Sequence, residues 1–342
     1  MFCILRYNLS LYRSDTSSPT NTDCGKMALI NFTDNENHKT FVQQFCSTEL
    51  VEGIHNQLIF LSVLNIFLSI TAFLGNTLIL VALHKESSLH PPSKLLFRNL
   101  ATTDLCVGII AEPLAVTYCM SLVNKRWNIC RYVIVADNLT SHMLSGVSLL
   151  TLSAISVDRL LALLLGLRYR QVVTLKRTYV AVFIFWIVCI LASTMYFWNF
   201  SLLLWCVKIV IPLCLVTSFY CYTKIFLRLR HHENQVQWNV QEQQSQTIPM
   251  NIARYKKAVS SALWLQLALV VCYLPYFAIS AFNIVAWTGN NLSSSIYLTW
   301  KFAATLVYLN SSLNPILYCW KIREVRPAVK DTIRQLFQCS SS

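Results

Sequence analysis

Ser156-Val157-Asp158-Arg159-Leu160 sets an acid and a base side by side at the end of a largely apolar run that begins near Cys130. Charge is scarce elsewhere: 13% of the 342 residues are charged and 55% are hydrophobic. A charged pair at the end of a membrane segment is costly to keep and marks a functional site by default. The surrounding run therefore decides the fold. Working outward from it, apolar stretches near or above the roughly 20 residues needed to span a bilayer recur along the chain. They cover about 57–83, 95–122, 131–162, 178–200, 202–229, 255–287 and 294–318. The reading is an all-α membrane protein with seven transmembrane helices.

The third stretch is interrupted by Asp137-Asn138-Leu139-Thr140-Ser141-His142, so it must turn that face to the bundle interior or to a water-filled cavity. Orientation comes from Lys and Arg. With the N-terminus outside, 19 of the 28 fall on the cytoplasmic side, as the positive-inside bias requires. The net charge of +13 is spread between apolar runs rather than gathered in one patch, so topology explains it and nucleic acid is not an expected partner. Residues 1–56 read as a flexible extracellular tail, 57–319 as the membrane domain and 320–342 as an amphipathic helix on the inner leaflet with a short tail. Sequons at Asn8, Asn31, Asn199 and Asn291 fall outside the cell in this orientation and are candidate glycosylation sites. Cys339 is a candidate palmitoylation site. The Gln-rich stretch 231–250 lacks apolar periodicity and reads as a flexible cytoplasmic loop. Scarcely any residues separate the fourth and fifth spans, which leaves the outer mouth open.

Asp104 lies midway along the second span, where a lone carboxylate costs on the order of 3 kcal/mol. It needs partners or a cation, and Asn76, Ser148, Asn310, Ser311 and Asn314 lie at matching depth. Pro275 and Pro315 each remove a helical donor and permit a bend.

Asp158-Arg159, Trp186, Pro212, Pro275 and Asn314-Pro315-Ile316-Leu317-Tyr318 stand at intervals that resemble those of rhodopsin-like G-protein-coupled receptors, over about residues 57 to 337. The resemblance implies that Asp158 restrains Arg159 until the helices part, and that the guanidinium then packs on a heterotrimeric G protein. Tyr220 and Tyr318 match the two tyrosines that swing inward in the active state. Tyr273, where relatives carry Trp, matches the pivot beneath the ligand cavity, and Leu167 matches the apolar knob that docks on the G protein. Asp104, Ser148, Asn310, Ser311 and Asn314 match a hydrated sodium site, whose alternative is a network that only packs helices. Leu160 replaces the usual Tyr and Tyr255 replaces an acid common on the sixth span. The inter-helix lock is therefore weak, and basal activity is expected.

For the ligand, Glu112, Asp137, Ser141, His142, Tyr273 and Tyr308 are the candidate contacts. Glu112 and Asp137 either face a cationic ligand, as acids do in melanocortin receptors, or sit in water at helix ends. Tyr308 occupies the opsin lysine position and Lys301 lies two turns nearer the outside, so no retinal is expected. The missing second outer loop resembles the melanocortin, adenosine and lipid receptor branch, which leaves amine, peptide, nucleoside and lipid ligands open. That loss also removes the usual disulfide partner of Cys130. Cys206 at the top of the fifth span is the expected substitute, with Cys46 and Cys24 as alternatives. Neither enzyme motifs nor the internal repeats common in transporters are found. A receptor-fold scaffold without G-protein coupling is the alternative function, followed by a transporter or channel.

Overall fold

The computed structural model describes residues 45–85, 89–197, 200–242, 267–281 and 293–321. They form helices with no strand among them. A short α1 (Thr48–Val51) precedes α2 (His55–Lys85), α3 (Pro91–Val123) and α4 (Trp127–Leu165). After the short α5 (Tyr169–Val172) come α6 (Leu175–Thr194), α7 (Phe200–Glu242), α8 (Leu267–Ala281) and α9 (Ser294–Lys321). Among the described residues α2, α3, α4, α6 and the Trp205–Arg228 part of α7 are long and apolar enough to cross a membrane. The 28 residues of α9 reach about 42 Å, but Asn310, Ser311, Ser312 and Asn314 dilute its hydropathy. The described part of α8 is an apolar segment of the sixth span. With it and α9, the helices make the expected seven-helix bundle.

The surface of the bundle is apolar, and its interior sets a smaller group of polar side chains among apolar packing. Phe60, Val63, Phe67, Ile70 and Leu74 of α2 are exposed, whereas Asn65 and Asn76 of the same helix are buried. Lipid accepts the first set, and the second finds hydrogen bonds only inside. Gly75 lets α2 and α9 touch: a Cβ there would lie 2.8 Å from Cγ of Pro315. Trp186 of α6 donates to Asn99 Oδ1 at 3.0 Å, and Asn99 donates to Thr151 Oγ1 at 2.8 Å, tying the second, third and fourth spans together. Within α3 the turn Val107–Ala111 is π-helical. It precedes Pro113, whose ring collides with the carbonyl four residues earlier in a regular helix. Ser69 of α2 donates to the Gly108 carbonyl at 2.6 Å in that turn.

Several expectations are corrected. The start of the membrane domain is preceded by ordered chain: Phe45 is buried between Tyr297 and Trp300, and Tyr118 donates to the Phe45 carbonyl at 3.1 Å. This segment caps the ends of α3, α4 and α9 that carry Tyr118, Cys130 and Tyr297, so the bundle is not open on that side. A disulfide joins Cys46 to Cys130 and fixes the cap to α4. Cys206 is a free thiol, because the missing loop is replaced by chain from the N-terminal side. The stretch 231–250 is not all loop, since α7 continues to Glu242. Asn8, Asn31, Asn199, Asn291, Cys339 and the amphipathic segment beyond residue 321 lie outside the described residues.

Candidate functional site

Of four buried carboxylates among the described residues, three gather hydrogen-bond partners, each at a different depth. Nearest the outer end, Asp137 on α4 accepts from Lys301 Nζ at 3.2 Å, Ser141 Oγ at 3.2 Å and Tyr308 OH at 3.4 Å. Lys301 and Tyr308 are two helical turns apart on α9, which puts both on the face that meets α4. The side chains of Lys301 and Asp137 are 8% and 5% exposed, so their ion pair is shielded from water. The ammonium also lies 4.3 Å from the ring centre of Tyr118 and 4.9 Å from that of Trp300, within cation–π range. This pairing answers the question left by the sequence. Asp137 neither waits in water nor presents a free charge to a cationic ligand; it is already neutralised by Lys301.

A cavity of about 170 Å³ lies beside this pair, between α4, α6, α7, α8 and α9. Asp137, Ser141, His142, Tyr273 and Tyr308 all line it. Ser141 and Tyr308 share a hydrogen bond of 2.6 Å. One ring nitrogen of His142 lies 2.7 Å from the Asn138 carbonyl and the other 3.4 Å from Tyr276 OH. Tyr273, buried on α8 two residues before Pro275, donates to the Ser145 carbonyl at 3.3 Å. Glu112 does not join them. It is fully buried just beyond the π-helical turn, away from the cavity lining, and neither carboxyl oxygen has a hydrogen-bond partner among the described residues. The expectation that it faces ligand or water is corrected: the wide turn before it rotates it into the helix packing.

Asp104 lies deeper and is also fully buried. Ser148 Oγ donates to it at 3.2 Å, Ser311 Oγ at 2.9 Å and Asn314 Nδ2 at 2.7 Å, bringing α4 and α9 to α3. Asn76 donates instead to the Ser311 carbonyl at 3.0 Å, one step away from the acid. Asn310 is buried but does not bond to Asp104, and its Nδ2 has no partner among the described residues, as is true of Asn76 Oδ1.

At the inner end, Asp158 accepts from Tyr169 OH at 2.6 Å and from Ser93 Oγ at 2.8 Å. Arg159 approaches it only to 3.7 Å, stays 41% exposed and lies over the Phe97 ring. Gly166 makes this possible: its φ of +50° and ψ of −115° end α4 and turn the chain so that Tyr169 comes back beneath Asp158. Leu167 beside it is almost fully exposed, and Leu160 is buried with Cys221, Tyr222 and Ile225. Tyr220 does not face inward here; it is exposed on the outer face of α7, with Lys224 over its ring, and Tyr222 takes the interior position. Tyr318 lies in α9, beyond the last residue of that helix with a described side chain. Ser93, Tyr169 and Lys301 are site residues the sequence reading did not assign. Lys301 carried a usable signal, a cation inside an apolar run.

Comparison with known proteins fits this interior. The profile of the 7 transmembrane receptor (rhodopsin family) matches residues 75–201 and 195–318. The chain belongs to this receptor family. Family members are receptors rather than enzymes, and the receptor described here is a G-protein-coupled receptor of that type. It is 24% identical to adenosine receptor A3 of Ovis aries over 307 residues, covering 81% of this chain and 90% of that protein. It is 25% identical over 309 residues to adenosine receptor A3 of Canis lupus familiaris, covering 81% and 91%. Melanocortin receptor 5 of Rattus norvegicus is 24% identical over 287 residues, covering 78% and 82%. The receptor is therefore similar to the adenosine and melanocortin branch.

Proposed function

We propose that this receptor sits in the plasma membrane with its N-terminus outside and couples an extracellular ligand to nucleotide exchange on a heterotrimeric G protein. The observation that carries the reading is the state of Arg159. Its neighbour Asp158 is satisfied by two neutral donors at 2.6 and 2.8 Å, so the ion pair at 3.7 Å restrains the guanidinium only loosely. An Arg that keeps its charge and several donors, half-exposed at the inner end of a helix, suits docking on a partner. The exposed Leu167 supplies an apolar contact beside it. Ligand binding in the cavity beside Tyr273 and Pro275 shifts the bundle by its differential affinity for two arrangements, with no bond made or broken. Tyr220 and Tyr318 are the candidate groups to turn inward in the second arrangement.

Asp104, Ser148 and Ser311 offer a carboxylate and two hydroxyls to a sodium ion, and the unpartnered Asn76 Oδ1 nearby fits a hydrated site. Asn314 donates through its amide nitrogen and remains a carboxylate partner rather than a cation ligand. A bound sodium would supply positive charge that favours the resting arrangement. No other cofactor is proposed.

The test is G-protein activation by unliganded receptor across a panel of G-protein subtypes, with Arg159→Ala at equal surface expression. The loose pair leads to exchange above vector controls with at least one subtype, abolished by Arg159→Ala. Exchange that Arg159→Ala leaves intact would remove the role given to Arg159. Silence in every subtype would remove the basal activity expected of the loose pair and leave two readings, a receptor silent until its ligand binds and a receptor-fold scaffold.

A further inference from the structure

Charge alone does not decide what the cavity binds, because Asp137 and Lys301 cancel. Hydrogen-bonding capacity does. A carboxylate has about four acceptor sites, and Asp137 accepts from Lys301 and from one of the Ser141 and Tyr308 hydroxyls, the other's proton closing the 2.6 Å bond between them. The Lys301 ammonium has three hydrogens, and among the described residues Asp137 is the one acceptor it donates to. Ring faces of Tyr118 and Trp300 hold it from the other side. Those faces keep the cation in place when a further acceptor arrives. His142 and Tyr276 add no free donor: the Nδ1 hydrogen of His142 goes to the Asn138 carbonyl, and the Tyr276 hydroxyl donates to Nε2. The uncommitted donors at this end are thus the two remaining hydrogens of the Lys301 ammonium. An ammonium ligand would find Asp137 occupied, with Lys301 beside it as a like charge.

The other end is apolar. Leu149, Val207 and Ile211 line it, together with Val188, which is also 48% exposed on the outer, lipid-facing side of α6. The N-terminal cap covers the bundle over α3, α4 and α9, and among the described residues α6 and α7 touch sparsely. A volume of about 170 Å³ equals the liquid volume of roughly six waters. That holds a head group and the first carbons of a chain, with the remainder directed past Val188 toward the bilayer.

We infer that the cavity binds an amphiphile with an anionic head, a carboxylate or a phosphate, seated on Lys301, and an apolar chain that enters between α6 and α7. The inference rests on the receptor reading for its signalling meaning, but its chemistry is tested without a G protein. Purified full-length receptor in phosphatidylcholine discs is titrated with decanoate, decyl phosphate, decanol and decylamine, which share one chain and differ in the head. Binding is read from the saturable rise in melting temperature. Decanoate or decyl phosphate stabilises the wild type, and whichever does so better names the head. Lys301→Gln weakens that binding by about tenfold or more, the weight of a charge-assisted hydrogen bond, and Lys301→Arg retains it. Asp137→Asn frees the ammonium and tightens binding. This opposite sign keeps the test valid if Lys301→Gln does not fold. Preference for decylamine, equal effects of all four compounds, or no effect of any overturns the inference. Arg159-dependent exchange tests the receptor reading separately, so either can fail without the other.

Discussion

Cutting the Cys46–Cys130 disulfide should loosen the outer end of the bundle more than removing any other described cysteine. The bond spans a sequence separation of 84 residues. On the chain-entropy account, a loop of that length contributes about 4.6 kcal/mol if the chain opens fully, and about 3 kcal/mol if helices retained in the bilayer shorten the free loop. Detachment of the cap also uncovers Phe45, now 1% exposed, a loss of about 2 kcal/mol where water replaces its aromatic neighbours. Taking the lower disulfide figure alone, the melting temperature falls by roughly 4 °C for a chain of 342 residues. The assay is thermal unfolding of solubilised receptor for wild type, Cys46→Ser, Cys130→Ser, the double variant and Cys206→Ser. The first two single variants and the double variant fall together, because each breaks the same bond. Cys206→Ser stays close to wild type, since its thiol is free and half-buried. A Cys46→Ser receptor as stable as wild type, with Cys206→Ser matching Cys130→Ser, would refute the assignment and restore the pairing expected from sequence.

Replacing choline by sodium should raise the melting temperature saturably, by an amount equivalent to about 2.7 kcal/mol at a hundredfold excess over Kd. Asp104→Asn should abolish the increment, and superimposed wild-type melts in the two salts would leave the network as helix packing alone. Gly75→Ala should cost about 1–3 kcal/mol by driving Pro315 away, read as a lower melting temperature; an unchanged value would show that α2 and α9 can separate freely. Glu112→Leu should stabilise the receptor by about 1–3 kcal/mol, because both carboxyl oxygens are buried without partners. A less stable variant would mean that the carboxyl makes a contact worth more than its desolvation.

What the sequence made legible follows from local regularities. Span lengths are set by the bilayer, and helical spacing put Ser148, Ser311 and Asn314 at the depth of Asp104. Depth is not direction, however. Asn76 and Asn310 share that depth, yet neither bonds to the acid. The Asp137–Lys301 pair joins residues 164 apart and depends on how two helices rotate, which no local pattern records. Tyr169 reaches Asp158 only because Gly166 reverses the chain between them. The cap escaped because Phe45, Leu50, Val51 and Ile54 are too short a series to show a period, and disulfide connectivity cannot be read from cysteine positions. The inner end of α7 was hidden for a different reason. From His231 to Glu242 the sequence has no sustained apolar period, but its three Gln and two Glu are good helix formers. A helix already nucleated in the membrane extends through them without needing one.

That extension has a mechanical consequence. From Pro212, where the missing donor leaves the helix free to bend, α7 runs on to Glu242, a rod of about 45 Å at the usual rise per residue. A rod anchored at a bend amplifies angle into distance. Opening by about 10° at the proline carries the far end through about 8 Å, on the scale of a helix diameter. Small repacking beside the cavity would thus be read at the Glu242 end as a displacement large enough to admit or exclude another protein's helix.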